Sequence, residues 1–106
     1  MKKIMLEEGY GDGSQALLCV CGNNNLHQES VKLFWRDEDS DKGTFIKSTQ
    51  RHTDEHINPS ENPSMRRDGL LIKFICEHCE AEPELAIYQH KGVTYTEWHS
   101  CRQLIK

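Results

Sequence analysis

Residues 69–79 read GLLIKFICEHC, and this stretch decides the fold. Residues 69–76 form the most apolar run of the chain and are rich in β-forming side chains, so they read as a central strand. The run ends on Cys76, and Cys79 follows on the same short loop. A second short loop, CVCG at residues 19–22, carries Cys19 and Cys21. Zinc takes four tetrahedral ligands, about 2.3 Å away when they are thiolates, and each loop supplies one edge of that tetrahedron. Two such loops close a site that joins distant parts of a chain, as in a zinc ribbon. Gly22, directly after Cys21, suits a knuckle whose backbone N–H groups turn toward sulfur, because glycine tolerates the required dihedrals. The first pair is spaced C-x-C where ribbons usually carry C-x-x-C, so a ligand set in which His27 or His78 replaces one cysteine stays open. Cys101 has no partner at knuckle spacing and reads as a spare thiol in the tail.

Strands extend outward from this centre. Residues 84–90 (ELAIYQH) and 93–99 (VTYTEWH) flank Lys91 and Gly92, a two-residue connection that suits a tight hairpin. Residues 26–35 (LHQESVKLFW) place Val31, Leu33 and Trp35 on one parity and Lys32 and Phe34 on the other, which reads as a strand. RDEDSDKG follows as a charged turn and TFIKS as the returning strand. Residues 14–20 (SQALLCV) are a short apolar run leading into the first cysteine loop. No segment has a helical period, and no repeat is visible. The expected fold is mostly β: one small antiparallel sheet domain over residues 1–106, with five or six strands and a zinc-ribbon-like site of four cysteines.

Composition supports a metal cross-link. Of 106 residues, 36% are hydrophobic and 8% aromatic, a lean supply for a core, so a structural zinc is expected to supplement it. The start, MKKIMLEEGY, has too short an apolar run for a targeting segment, and no stretch approaches the length a bilayer requires. The expected compartment is a reducing cytosol, where clustered cysteines hold metal more often than disulfides. The formal charge is −4, and it becomes about −6 once four thiolates hold one zinc. That sign disfavours nonspecific binding to nucleic acid or to an anionic membrane.

Residues 48–68 are polar, contain Pro59 and Pro63, and read as one long loop. Within it, HTDEH at residues 52–56 matches the inverted zincin pattern H-x-x-E-H, which makes a metallohydrolase using His52, Glu55 and His56 a remote alternative. The motif lacks an apolar face on which a helix could dock, and Asn58-Pro59 discourages helix continuation. Asp37, Asp39 and Asp41 alternate like the start of a calcium loop, but Lys42 stands where glycine is required, so a solvated turn is favoured.

With these motifs together, the chain resembles small zinc-ribbon-like proteins encoded by bacteriophages, prophages and other bacterial mobile elements. The resemblance covers residues 19–98. It rests on CG at 21–22 with LH at 26–27, on RDEDSDKG, on NPSMRRDGLLIKFICEHC and on LAIYQHKGVTYTEW. It implies a zinc-bound β domain in a bacterial cytoplasm and no particular reaction.

No nucleophile, base and orienting acid can be placed together by spacing, so the chain is expected to be no enzyme. The leading expectation is a noncatalytic, zinc-stabilised binding or adaptor module that acts on a protein partner of host or phage. A nucleic-acid-binding ribbon is the alternative. Contact residues are expected at Arg66, Arg67, Gln89, His90, Lys91 and Trp98, where guanidinium forks, polar donors and aromatics gather. The competing reading is a solvated loop end and a hairpin whose Tyr and Trp fill a thin core.

Overall fold

The computed structural model describes residues 3–11, 13–36, 43–49, 52–54, 59–64 and 67–103. Among these the chain is mostly β, in an antiparallel arrangement. A small hairpin pairs β1 (Met5–Glu8) with β2 (Gln15–Leu18). The main sheet contains β3 (Leu26–Arg36), β4 (Gly43–Thr49), β5 (Thr53–Asp54), β6 (Gly69–Cys76), β7 (Ala81–His90) and β8 (Val93–Gln103). Its spatial order is β5-β4-β3-β6-β7-β8.

The apolar run of residues 69–76 is a central strand, β6, between β3 and β7. It is apolar on both parities because both faces of the sheet carry a core there. On one face Phe34, Leu71 and Ala86 pack with Phe45 and Tyr88. Segment 59–64 lies over that face, with Lys32 paired to Glu61 and Asn62 and Pro63 crowding Gly69. On the opposite face Phe74, Leu85 and Trp98 pack with Ile72, Ile87 and Leu26, and also with Ile4, Leu17 and Val20 from the region of the small hairpin. Phe74 meets Trp98 edge-on at 6.2 Å between ring centres, a favoured aromatic arrangement.

The hairpin expected at Lys91-Gly92 is present, joining β7 to β8. Both turn residues have positive φ, 52° and 79°, as a type I′ turn requires. Parts of the long polar loop are ordered elements: Thr53–Asp54 pairs with β4, and Pro59–Glu61 forms a 3-10 turn. Proline pre-sets φ for such a turn, which explains structure in a segment that composition alone marks as loop. The calcium-like residues Asp37, Asp39 and Asp41 lie outside the described residues. Among the described residues, no helix is long and apolar enough to cross a membrane.

Candidate metal centre

β2 runs directly into Cys19, and β6 ends on Cys76, so two strand ends deliver the cysteine loops to one place. The first loop is tightened by hydrogen bonds from the Gly22 amide to the Cys19 carbonyl, 2.8 Å, and from the Cys19 amide to the Asn23 carbonyl, 2.8 Å. Gly22 has a φ of 93°, the left-handed region that glycine enters without strain. The second loop closes through the Glu80 amide on the Cys76 carbonyl, 3.0 Å, and is tied to the first by the Glu77 amide on the Asn25 carbonyl, 3.0 Å.

These turns bring the four sulfurs of Cys19, Cys21, Cys76 and Cys79 within 4.8 Å of one another. Cys19 and Cys79 are 3.7 Å apart at Sγ, and so are Cys21 and Cys76. A disulfide would need about 2.05 Å. A tetrahedron of metal–sulfur bonds about 2.3 Å long has edges of about 3.8 Å. The donor set therefore fits a metal ion that takes four thiolates, as zinc does, with one cysteine from each loop on each of the two short edges.

Burial and backbone donors divide the thiols. Cys19 and Cys76 are fully buried, Cys79 is half-buried and Cys21 is exposed. Burial pushes the Cys19 and Cys79 thiols above their ordinary range. Burial would also raise Cys76, but hydrogen bonds from the Cys79 and His78 amides favour its thiolate and bring it down to about 7. Amide donors aimed at sulfur are what a metal knuckle needs, since they offset thiolate charge in a partly dry site.

Neither histidine left open as a ligand joins the sulfur group. His27 pairs with Glu77, bracing the second loop from β3, and His78 is exposed in the turn. Cys101 is not in a loose tail: it is half-buried on β8 opposite Pro83. Burial, then the nearby charges of Cys21 and Cys76, push its thiol up. His52 is exposed and lies outside any group of metal-ligating side chains among the described residues, while Glu55 and His56 are not described.

The expected contact residues separate. Trp98 is 1% exposed and belongs to the core, so its placement on a contact surface is corrected. Its parity on β8 turns it toward the face that the small hairpin covers. Arg66 lies outside the described residues. Arg67 and Gln89 line a mostly apolar groove of about 670 Å³, together with Leu33, Trp35, Leu70 and Ile87. His90 and Lys91 are exposed at the same end of the sheet, in and beside the β7–β8 turn. Trp35, 53% exposed, is the groove residue missed from the sequence; its shared parity with Val31 and Leu33 was the available signal. Compared with protein-family models, curated proteins and solved structures, the chain finds no match.

Proposed function

We propose that this chain is a noncatalytic binding or adaptor module stabilised by one zinc ion, of the kind carried by phages and mobile elements, acting on a protein partner in a bacterial cytoplasm. The observation that carries this reading is the group of four sulfurs spaced as the corners of a tetrahedron. Four thiolates fill the coordination sphere of zinc and leave no position for a reacting water. Zinc then acts by holding the small hairpin against the sheet, and the work falls to a surface. The groove lined by Trp35, Leu33, Arg67 and Gln89 suits that role, because exposed aromatic and Arg side chains around an apolar floor dominate binding energetics. Lys91 and His90 extend its polar rim.

The test compares partner capture from a bacterial lysate by the wild-type chain, Arg67→Ala, Lys91→Ala and Trp35→Ala, with zinc content and melting temperature measured on each. Capture lost in these variants with zinc retained is the expected result. Unchanged capture by all three would overturn the surface assignment.

A further inference from the structure

A second cavity, of about 590 Å³, opens where β3, β4 and β6 lie side by side, and its wall includes Gln28, Glu29, Ser30, Lys47, Thr49 and Lys73. Ser30 is directly opposite Thr49 on β4 and Lys73 on β6. Their side chains therefore share one face of the sheet, that of the Phe34 and Leu71 cluster, away from the groove. The ladder between β3 and β6 slips between Gln28 and Ser30. Bulges of this kind re-aim side chains and gather next to functional sites; here Glu29 reaches Lys73 while Ser30 still lines the cavity.

Several groups on the wall are engaged within the chain. Lys73 Nζ meets Glu29 at 3.1 Å and Glu82 at 4.0 Å, and the Thr49 hydroxyl donates to the His52 carbonyl at 3.4 Å. Ser30 and Lys47 differ. Ser30 is only 5% exposed, yet its hydroxyl has no hydrogen-bond partner among the described residues. A buried hydroxyl without a partner costs free energy. It is not sealed off as the Trp98 indole N–H is, and opens onto the cavity that it lines. Lys47 is half-buried and stands in register between Lys32 on β3 and Asp54 on β5. Like charges directly opposite one another destabilise a sheet. Lys32 has Glu61 to offset its charge, whereas Lys47 makes no ion pair among the described residues.

The cavity therefore offers donors: the Lys47 ammonium, the Ser30 hydroxyl, the Gln28 amide and the part of Lys73 that its carboxylates leave. Its wall carries two lysines against the one carboxylate of Glu29, in a chain whose formal charge is −4. Lysine binds phosphate as a point charge, and hydrogen bonds to a charged acceptor are the stronger kind. Donors on neighbouring strands approach from different directions, which suits a tetrahedral oxyanion with several acceptor oxygens better than a planar carboxylate. A cavity of this volume has room beyond the anion for the rest of a small ligand. We infer that it binds a small molecule through a phosphoryl group, held by Lys47 and Ser30 with Lys73 beside them. The inference does not depend on the partner-binding role of the groove.

Titration of the zinc-loaded full chain with inorganic phosphate tests it, followed by amide NMR shifts at constant ionic strength, with chloride and acetate as the comparison anions. Saturable shifts at Ser30, Lys47 and Lys73 with a millimolar midpoint are expected for phosphate, which reproduces only the anionic part of the ligand. Lys47→Gln and Ser30→Ala should each weaken binding by about tenfold, the worth of a hydrogen bond to a charged group. Lys47→Arg keeps the charge and should still bind. Ser30→Ala has a second readout, because it removes a hydroxyl that no protein group satisfies. Its melting midpoint without phosphate should hold or rise while its phosphate affinity falls, which the loss of a structural hydroxyl would not produce. Should Lys47→Gln lose zinc or strand content, Ser30→Ala makes the test by itself. The absence of saturable shifts at these residues overturns the proposal, and so does an affinity that both variants leave unchanged. Acetate bound as tightly as phosphate overturns the phosphoryl assignment.

Discussion

One face of the main sheet has two halves built from similar residues, and among the described residues only one half is covered. Near the cysteine loops, Phe74, Leu85 and Trp98 lie beneath Ile4, Leu17 and Val20. Toward the other end, Leu33, Leu70 and Ile87 floor an open groove beside Trp35. The two tryptophans of the chain mark the contrast, at 1% and 53% exposure. Apolar content does not explain it. The cover is a hairpin of two four-residue strands in which every residue of β1 is exposed, and an isolated two-stranded hairpin is marginal in water. Besides the packing of Ile4, Leu17 and Val20, a metal held by the four sulfurs would fasten the end of β2 to the end of β6. A metal here would take the place of apolar area that the small hairpin does not have.

Breaking the clamp is expected to have the largest effect. Structural zinc sites in small domains contribute about 10 kcal/mol or more of apparent binding energy at neutral pH, and this is folding energy. Chelation of the metal, or Cys76→Ser, should release the hairpin, expose the Phe74–Trp98 cluster to a hydrophobic dye and lower the melting midpoint by tens of degrees. A chain that keeps its midpoint after complete zinc removal would show that the hairpin is held by packing alone.

The tryptophans sharpen the comparison. Trp98→Ala should destabilise the fold by about 3–5 kcal/mol, the usual range for truncating a buried aromatic. Trp35→Ala should stay within about 0.5 kcal/mol, as for exposed positions. Chemical denaturation of both variants with zinc bound measures the pair, and equal losses would mean that the open half is covered in solution.

The smallest effects belong to titratable and thiol groups outside the cluster. His52→Ala with His56→Ala, and separately Cys101→Ser, should leave zinc stoichiometry at one per chain by metal analysis. Loss of an equivalent in the histidine variant would restore the zincin motif as a site. Loss in Cys101→Ser would make that thiol a ligand.

The central strand, the β7–β8 hairpin and the pairing of β3 with β4 were legible because each rests on local pattern: a β-rich apolar run, a Lys-Gly turn, an alternation of parity. The cysteine loops were legible because ligand spacing and the glycine after Cys21 are local too. The ordered pieces of the 48–68 loop were not legible. Thr53–Asp54 becomes a strand only because β4 offers it an edge, and composition cannot report a neighbour.

By itself, the sequence determined the fold class and singled out the two cysteine loops, since strand period and cysteine spacing are properties of short segments, whereas only the structure shows that the four sulfurs gather without His27 or His78. Only the tertiary structure decided which apolar residues are core. Trp35 and Trp98 sit on strands of similar pattern and point to the same face of the sheet. One is buried because the first cysteine loop, arriving from residues far away in the chain, brings a hairpin over it, and the other stays open because among the described residues nothing packs across its end of the face.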